Sequence, residues 1–276
     1  MKHSRFLVLF AILTLNFHSF CQTNQPSGLT AVLGAFEDEI IMLKDSMTHK
    51  EELKIAGLPV TKGVLKEQNV ILAYTGMGKV NAAMTTTLIL DHFHPDRVIF
   101  TGIAGGLNPD LHPGDIVIGK KLVQHDLNVV YNDSVVSFPV TDPMTHKTNP
   151  LYFTSDSQLI DLTKQIKGKV SLISYPEGKG VYSPQIIYGT IATGDSFVAS
   201  SRKNEELIQR FHADAVEMEG AAVAQICYYQ STPSLIIRSI SDSADEQATM
   251  DIEKFLDIAA KNSNLMVIAL LKEMKE

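Results

Sequence analysis

Short apolar runs alternate with longer amphipathic stretches through most of this chain, and few folds accommodate that order. Leu29 to Ala35 reads as a strand, and Glu37 to Asp45, with Ile40, Ile41 and Leu43 as its apolar positions, reads as a helix. Val60–Val64 and Val70–Tyr74 are expected strands, set off by Gly57–Leu58–Pro59 and Glu67–Gln68–Asn69 as turns. Lys79 to Phe93 keeps helical spacing through Val80, Ala83, Met84, Thr87 and Leu88, and Pro95 closes it. Arg97–Thr101 is a buried strand entering Gly102–Ile103–Ala104–Gly105–Gly106. Further on, Ile186–Thr193 and Ser234–Ile240 read as strands, and Arg202–Phe211 and Glu219–Tyr229 as helices. A last helix aligns Ile252, Phe255, Leu256, Ala259, Ala260, Met266, Val267, Leu270 and Met274 on one face. This order predicts an α/β single domain with a central, mostly parallel (mixed) twisted sheet flanked by helices. Ligands of such sheets bind beyond the carboxyl ends of strands. Gln124 to Tyr152 breaks the pattern; polar and carrying Pro139, Pro143 and Pro150, it is expected as a long loop.

The N-terminus stands apart. Lys2 and Arg5 precede Phe6–Leu15, a run apolar except for Thr14. A bilayer span takes about 20 residues, so this run matches the core of a signal peptide instead. Ser19 and Cys21 supply the small residues of a cleavage site. Residues 1–21 are therefore expected to be removed, leaving 22–276 as one exported domain, periplasmic or secreted and free of the membrane. Bulky Phe20 beside Cys21 weighs against a lipid anchor on that cysteine. Cleavage takes two positive charges and no acid, so the net charge moves from −7 to −9. Cys227 is then the only cysteine, which suits an oxidising compartment. An acidic chain without a basic stripe excludes nucleic acid as a partner. The nine histidines have no HExxH or similar spacing, so neither metal nor cofactor is expected. The GxSxG elbow of a serine hydrolase is absent as well.

Residues able to do chemistry gather at four strand ends. Gly34–Ala35–Phe36–Glu37–Asp38–Glu39 puts three acids at a helix start. The helix dipole accounts for Glu37 and Asp38, and Glu39 is left to face the strand end. Thr101 to Gly106 is either a tight turn or backbone that a ligand can approach. Val216–Glu217–Met218–Glu219–Gly220 sets two carboxylates in apolar surroundings, where an unpaired charge is costly. Arg238–Ser239–Ile240–Ser241–Asp242 ends an apolar strand on a charge pair, which is a structural salt bridge or part of a site. Acids and glycines together suggest acid–base chemistry on a small neutral or cationic substrate.

Seven segments then occur in a telling order. They are Gly34 to Glu39, Thr75–Gly76–Met77–Gly78–Lys79–Val80, Thr101 to Gly106, Gly114–Asp115–Ile116–Val117, Thr193–Gly194–Asp195–Ser196–Phe197, Val216 to Glu219 and Arg238 to Asp242. With them the chain resembles the 5′-methylthioadenosine/S-adenosylhomocysteine nucleosidases of the nucleoside phosphorylase superfamily. The likeness runs from about Leu29 to Leu271 and is poor across Gln124–Ser183. It implies a nucleoside phosphorylase-like fold, an N-glycosyl hydrolase of an adenine nucleoside thioether, and a homodimer. It makes Asp242 the acid that protonates purine N7 and Glu39 the holder of the attacking water. Glu219 would hold the ribose hydroxyls, with Met218 beside the sugar and Glu217 among the substrate-binding residues. Phe197 would stack on adenine, and Val198 would offer it backbone hydrogen bonds. Ile103, Ala104 and Gly105 would line the substrate, with Arg238 and Ser241 as supports for the water site and the acid. Ile103 stands where members often carry a hydroxyl residue, and Ile252 where an aromatic often lines the alkylthio pocket.

The implied roles make physical sense. Glycosidic cleavage builds positive charge on the ribosyl ring while the base leaves with the electron pair. An acid at N7 and carboxylates near the sugar both favour that transition state. Asp242 must then be protonated near neutral pH and Glu39 ionised. Glu37, Asp38 and Glu39 in the first loop would repel phosphate, so water is the expected nucleophile. Two readings compete: a hydrolase of another purine nucleoside such as futalosine, and a non-catalytic nucleoside-binding or storage protein. The joint retention of Glu39, Glu219 and Asp242 disfavours the second.

Overall fold

Strands that are apolar on both faces need cover on both faces, and that requirement builds this fold. A computed structural model describes residues 28–274. The expected signal peptide, with Cys21, lies outside the described residues. The strands are β1 (Thr30–Gly34), β2 (Thr48–Ile55), β3 (Leu58–Leu65), β4 (Gln68–Tyr74), β5 (Arg97–Gly106), β6 (Ile116–Gln124), β7 (Asn128–Val130), β8 (Val135–Ser137), β9 (Phe153–Thr154), β10 (Tyr175–Glu177), β11 (Gly180–Tyr182), β12 (Ile186–Thr193), β13 (Ala215–Glu217) and β14 (Ser234–Asp242). The helices are α1 (Ile41–Ser46), α2 (Lys79–Phe93), α3 (Ser157–Ile166), α4 (Ser201–Phe211), α5 (Gly220–Tyr229) and α6 (Ala248–Glu273).

Neighbouring residues of a strand point to opposite faces. Ala31 and Leu33 of β1 therefore join one core with Ile71, Val98 and Phe100, and Val32 joins another with Leu72 and Ile99. Ala82 and Ile89 of α2 and Ala221 and Val223 of α5 cover the first face. Leu43 of α1, Leu159 of α3 and Met266, Val267 and Leu270 of α6 cover the second. The sheet is mixed, in the order β2-β3-β4-β1-β5-β14-β6-β12-β13. β1 runs parallel to β4 and β5, and β14 parallel to β5; β6 runs antiparallel to β14, and β12 parallel to β6. β13 lies parallel to β12 and also pairs antiparallel with β5, Ala215 opposite Gly106 and Val216 opposite Gly105. β5, β14, β6, β12 and β13 thus close a ring of five strands. No helix among the described residues is long and apolar enough to cross a membrane.

Several expected elements change form for local reasons. The helix expected over Glu37–Asp45 is a 3-10 turn, Glu37–Glu39, followed by α1. Glu39 breaks it: its carboxylate folds back to accept the N–H groups of Ala35 and Phe36, and Ile40 leaves helical geometry at φ −129°. The glycine segment after Thr101 is no turn. It is the extended end of β5, paired with β14 on one side and β13 on the other. The 124–152 segment is largely irregular, as expected, apart from the short hairpin β7–β8. Asn149 Nδ2 ties it to the Tyr229 hydroxyl of α5 at 2.7 Å.

Candidate active site

The turn after β1, the end of β5, the segment after β13 and the end of β14 meet around one cavity of about 110 Å³. Glu39 enters from the first, and its position follows from the broken helix. Its Oε2 accepts from the Ala35 and Phe36 N–H groups and its Oε1 from the Ile103 N–H at 2.9 Å. It is 1% exposed, yet it lines the cavity. Burial raises its pKa, against the pull of the Arg238 charge and those three N–H groups. A carboxylate poised this way can act as a general base.

Arg238 is the centre of charge. It is fully buried, and its guanidinium lies over the Phe100 ring at 4.2 Å. Its Nη2 binds Glu217 Oε2 and stands 3.4 Å from Glu219 Oε2, and its Nη1 stands 3.9 Å from Glu39 Oε1. Burial works against its charge, but Glu217, Glu39 and Glu219 outweigh that and raise its pKa. Three buried carboxylates facing one cation cannot all be comfortably ionised. The strain falls on Glu219, whose pKa is pushed up to about 8, first by burial and then by the Glu217 charge.

Glu217 and Glu219 divide the labour. Glu217 spends its oxygens inside the protein, accepting from the Thr193 hydroxyl, Arg238 and the N–H groups of Glu219 (3.0 Å) and Gly220 (2.7 Å). Glu219 holds the Gly78 N–H at 2.7 Å through Oε1 and reaches Arg238 only at 3.4 Å, so it has capacity left for a ligand. Asp242 also lines the cavity; its Oδ2 accepts from the Ser241 hydroxyl at 2.7 Å and its Oδ1 from the Ala244 N–H at 2.9 Å. Burial raises the Asp242 pKa against both bonds. Phe197, half exposed, Met218 and Ile252 complete the walls. A larger cleft of about 470 Å³ lies at the other end of the strands, beside Gln68, Arg97 and Asp156, and holds none of the candidate catalytic or substrate-binding residues.

Residues 30–272 match the phosphorylase superfamily model. A 5′-methylthioadenosine/S-adenosylhomocysteine nucleosidase of Geobacillus kaustophilus is 39% identical over 248 residues, covering 89% of this chain and 97% of that one. The chain belongs to the 5′-methylthioadenosine/S-adenosylhomocysteine nucleosidase family. The Neisseria meningitidis nucleosidase, solved in complex with methylthio-immucillin-A, superposes with a TM-score of 0.77 at 37% identity, covering 89% of this chain and 99% of that one. The futalosine hydrolase of Helicobacter pylori strain 26695 superposes with a TM-score of 0.77 at 32% identity, covering 90% and 98%.

Within this nucleosidase fold, Glu39, Ile103, Ala104, Gly105, Phe197, Glu217, Met218, Glu219, Ser241 and Asp242 line one cavity. Two residues assigned to the substrate do not. Arg238 sits behind the carboxylates, sealed from the cavity by the groups it neutralises. The Val198 side chain turns away into a cluster with Leu207, Phe211 and Val216. Sequence reasoning missed Phe36 and Met77 on the cavity wall. Apolar residues carry no chemical flag, although Met77 lies inside the Gly76–Lys79 motif.

Gly102 is required by this packing. A Cβ built there would overlap both Arg238 Nη1 and Glu39 Oε1, two buried groups with nowhere to go. Gly102→Ala is expected to cost about 1–3 kcal/mol of stability and to drive Glu39 from its site. Denaturant unfolding and nucleoside turnover read the two effects, and a variant with wild-type values of both would contradict this geometry.

Proposed function

We propose that this nucleosidase-family chain hydrolyses the N-glycosidic bond of an adenine nucleoside thioether, methylthioadenosine or adenosylhomocysteine, to adenine and the thioribose. The observation that carries the reading is that Asp242, Glu39 and Glu219 line the same small cavity. Asp242 donates its proton to N7 as the base departs. Glu39 orients a water and takes its proton as the water attacks the anomeric carbon. Glu219 binds the ribose hydroxyls, and in its ionised form it favours the cationic sugar. Phe197 stacks on the base, the Val198 backbone supplies hydrogen bonds to it, and Ile103, Phe36 and Ile252 form an apolar end for the 5′-thioether. Water is favoured over phosphate because neither lysine nor arginine lines the cavity, and buried Arg238 is already faced by three carboxylates.

Residues 22–276 assayed against a nucleoside panel, with and without phosphate, test the reading. Free adenine and thioribose are expected, at a rate independent of phosphate. Ribose 1-phosphate formation would overturn the hydrolase assignment, and hypoxanthine release from futalosine in place of adenine release would shift the substrate.

The active form is a homodimer on this reading. Val80 and Met84 of α2 stand 79% and 53% exposed, and Met77, just before the helix, stands 64% exposed and is also a wall of the cavity. A second copy covering that stripe would complete the pocket. Val80→Asp should convert the dimer to a monomer of raised KM, as read by light scattering and kinetics; an unchanged mass would refute that interface. Export rests on the Lys2–Cys21 segment, and N-terminal sequencing of the exported protein should begin at Gln22.

A further inference from the structure

The end of α2 presents a problem that its own residues cannot solve. Its N-cap is Gly78, at φ +90°, which has no side chain to accept the free N–H groups of the first turn. Two carboxylates from distant parts of the chain do so instead. Glu219 Oε1 takes the Gly78 N–H at 2.7 Å, and Asp195 Oδ1 takes the Lys79 N–H at 2.8 Å. A Cβ on Gly78 would lie 3.1 Å from that same Asp195 oxygen, so the approach needs the glycine.

Asp195 is held a second time. Lys79 Nζ binds Asp126 Oδ1 at 2.5 Å and lies 3.9 Å from Asp195 Oδ2, while Asp126 Oδ2 accepts the Asp195 N–H at 2.9 Å. Lys79, Asp126 and Asp195 thus close a ring of charge-assisted contacts. Immediately before it, the Gly194 N–H donates to the Glu217 carbonyl at 3.0 Å, and the His125 ring fills the space where a Gly194 side chain would stand. Residues 194 and 195 are pinned, and Phe197 follows two positions later.

We propose that Asp195 is a positioning residue that docks the base-binding loop, residues 194–198, onto the same helix end that holds the ribose carboxylate Glu219. One helix terminus then fixes the spacing between the groups for base and sugar. The inference rests on the nucleosidase reading for what residues 197 and 198 contact. The positive end of the helix and the Lys79 ammonium both strengthen the hold on Asp195.

Asp195→Ala and Asp195→Asn test it. The alanine variant should raise the KM for methylthioadenosine and the inhibition constant of adenine about tenfold, the scale of one charge-assisted hydrogen bond. Its kcat should stay within about threefold. The asparagine variant keeps an oxygen for the Lys79 N–H and should recover most of that loss. Amide hydrogen exchange at 196–198 should quicken in the alanine variant while the α2 interior is unchanged. Unmoved KM, adenine affinity and loop exchange would overturn the proposal. So would a joint fall of kcat and melting temperature with KM unmoved, which is the mark of a merely structural contact. A wild-type protein that releases no purine from any nucleoside would sink the nucleosidase reading instead, and loop exchange would still decide the docking.

Discussion

Asp242→Asn will lower adenine release by about 10²- to 10⁴-fold, the range general acid catalysis contributes, and will leave the protein folded. The amide oxygen can still accept from the Ser241 hydroxyl or the Ala244 N–H, the two bonds that orient Asp242. What it lacks is an acidic proton. Burial raises the Asp242 pKa, which keeps a larger share of the acid form toward neutral pH. The wild-type rate should therefore fall on the alkaline side as Asp242 loses its proton, and on the acid side as Glu39 gains one. In the variant the alkaline limb should vanish. A kcat/KM profile against pH reads both outcomes, and retention of full activity with an unchanged alkaline limb would remove Asp242 from the mechanism.

Arg238→Met will destabilise the protein by about 3–5 kcal/mol, the usual consequence of deleting one partner of a buried ion pair. Methionine fits over Phe100, but Glu39, Glu217 and Glu219 are left without their cation. Their loss also carries a pH signature. Burial, and then the Glu217 charge, already push the Glu219 pKa up to about 8 in the fold, from 4.5 for an ordinary glutamate. Removing the arginine raises it further. A carboxyl with a raised native pKa binds a proton that the unfolded chain has released. Its stability is fully present below about 4.5 and is lost as pH rises toward and past 8. Folded wild type itself keeps Glu219 protonated up to about 8, so the deficit of the variant should grow only above that value and be larger at pH 9.5 than at pH 6. Urea unfolding at the two pH values measures this, and equal deficits would argue against the shared-charge arrangement.

The parts of the fold governed by local rules were legible in the sequence. α2 and β12 run from Lys79 to Phe93 and from Ile186 to Thr193, the bounds that periodicity and their closing residues suggest. β2 was not legible, because Thr48–Ile55 is largely exposed and crowded with charges, so no burial pattern marks it. The 3-10 turn was hidden too, since what breaks the helix is a backward bond from Glu39. At the site, acids in apolar surroundings flagged themselves, because such burial is costly without a partner. Their division of roles was not readable from composition or spacing. Glu217 is internal and Glu219 open only because ring closure sets β13 against Thr193 and Arg238. The resemblance supplied the roles of Asp242 and Glu39. It did not reveal the external capping of α2, whose partners are far away in sequence.

The five-stranded ring has a kinetic consequence. A three-residue strand such as β13 would ordinarily fray, but here it is seamed to β12 on one flank and β5 on the other. The back of the pocket is consequently a closed frame, paired along both flanks of its shortest strand. Traffic of nucleoside and purine is left to the side bounded by Phe197 and Ile252 and by Met77, the wall that a second copy would complete. Chemistry and passage are thereby assigned to different walls, so the speed of exit can drift through substitutions at those three positions without disturbing the carboxylates behind them.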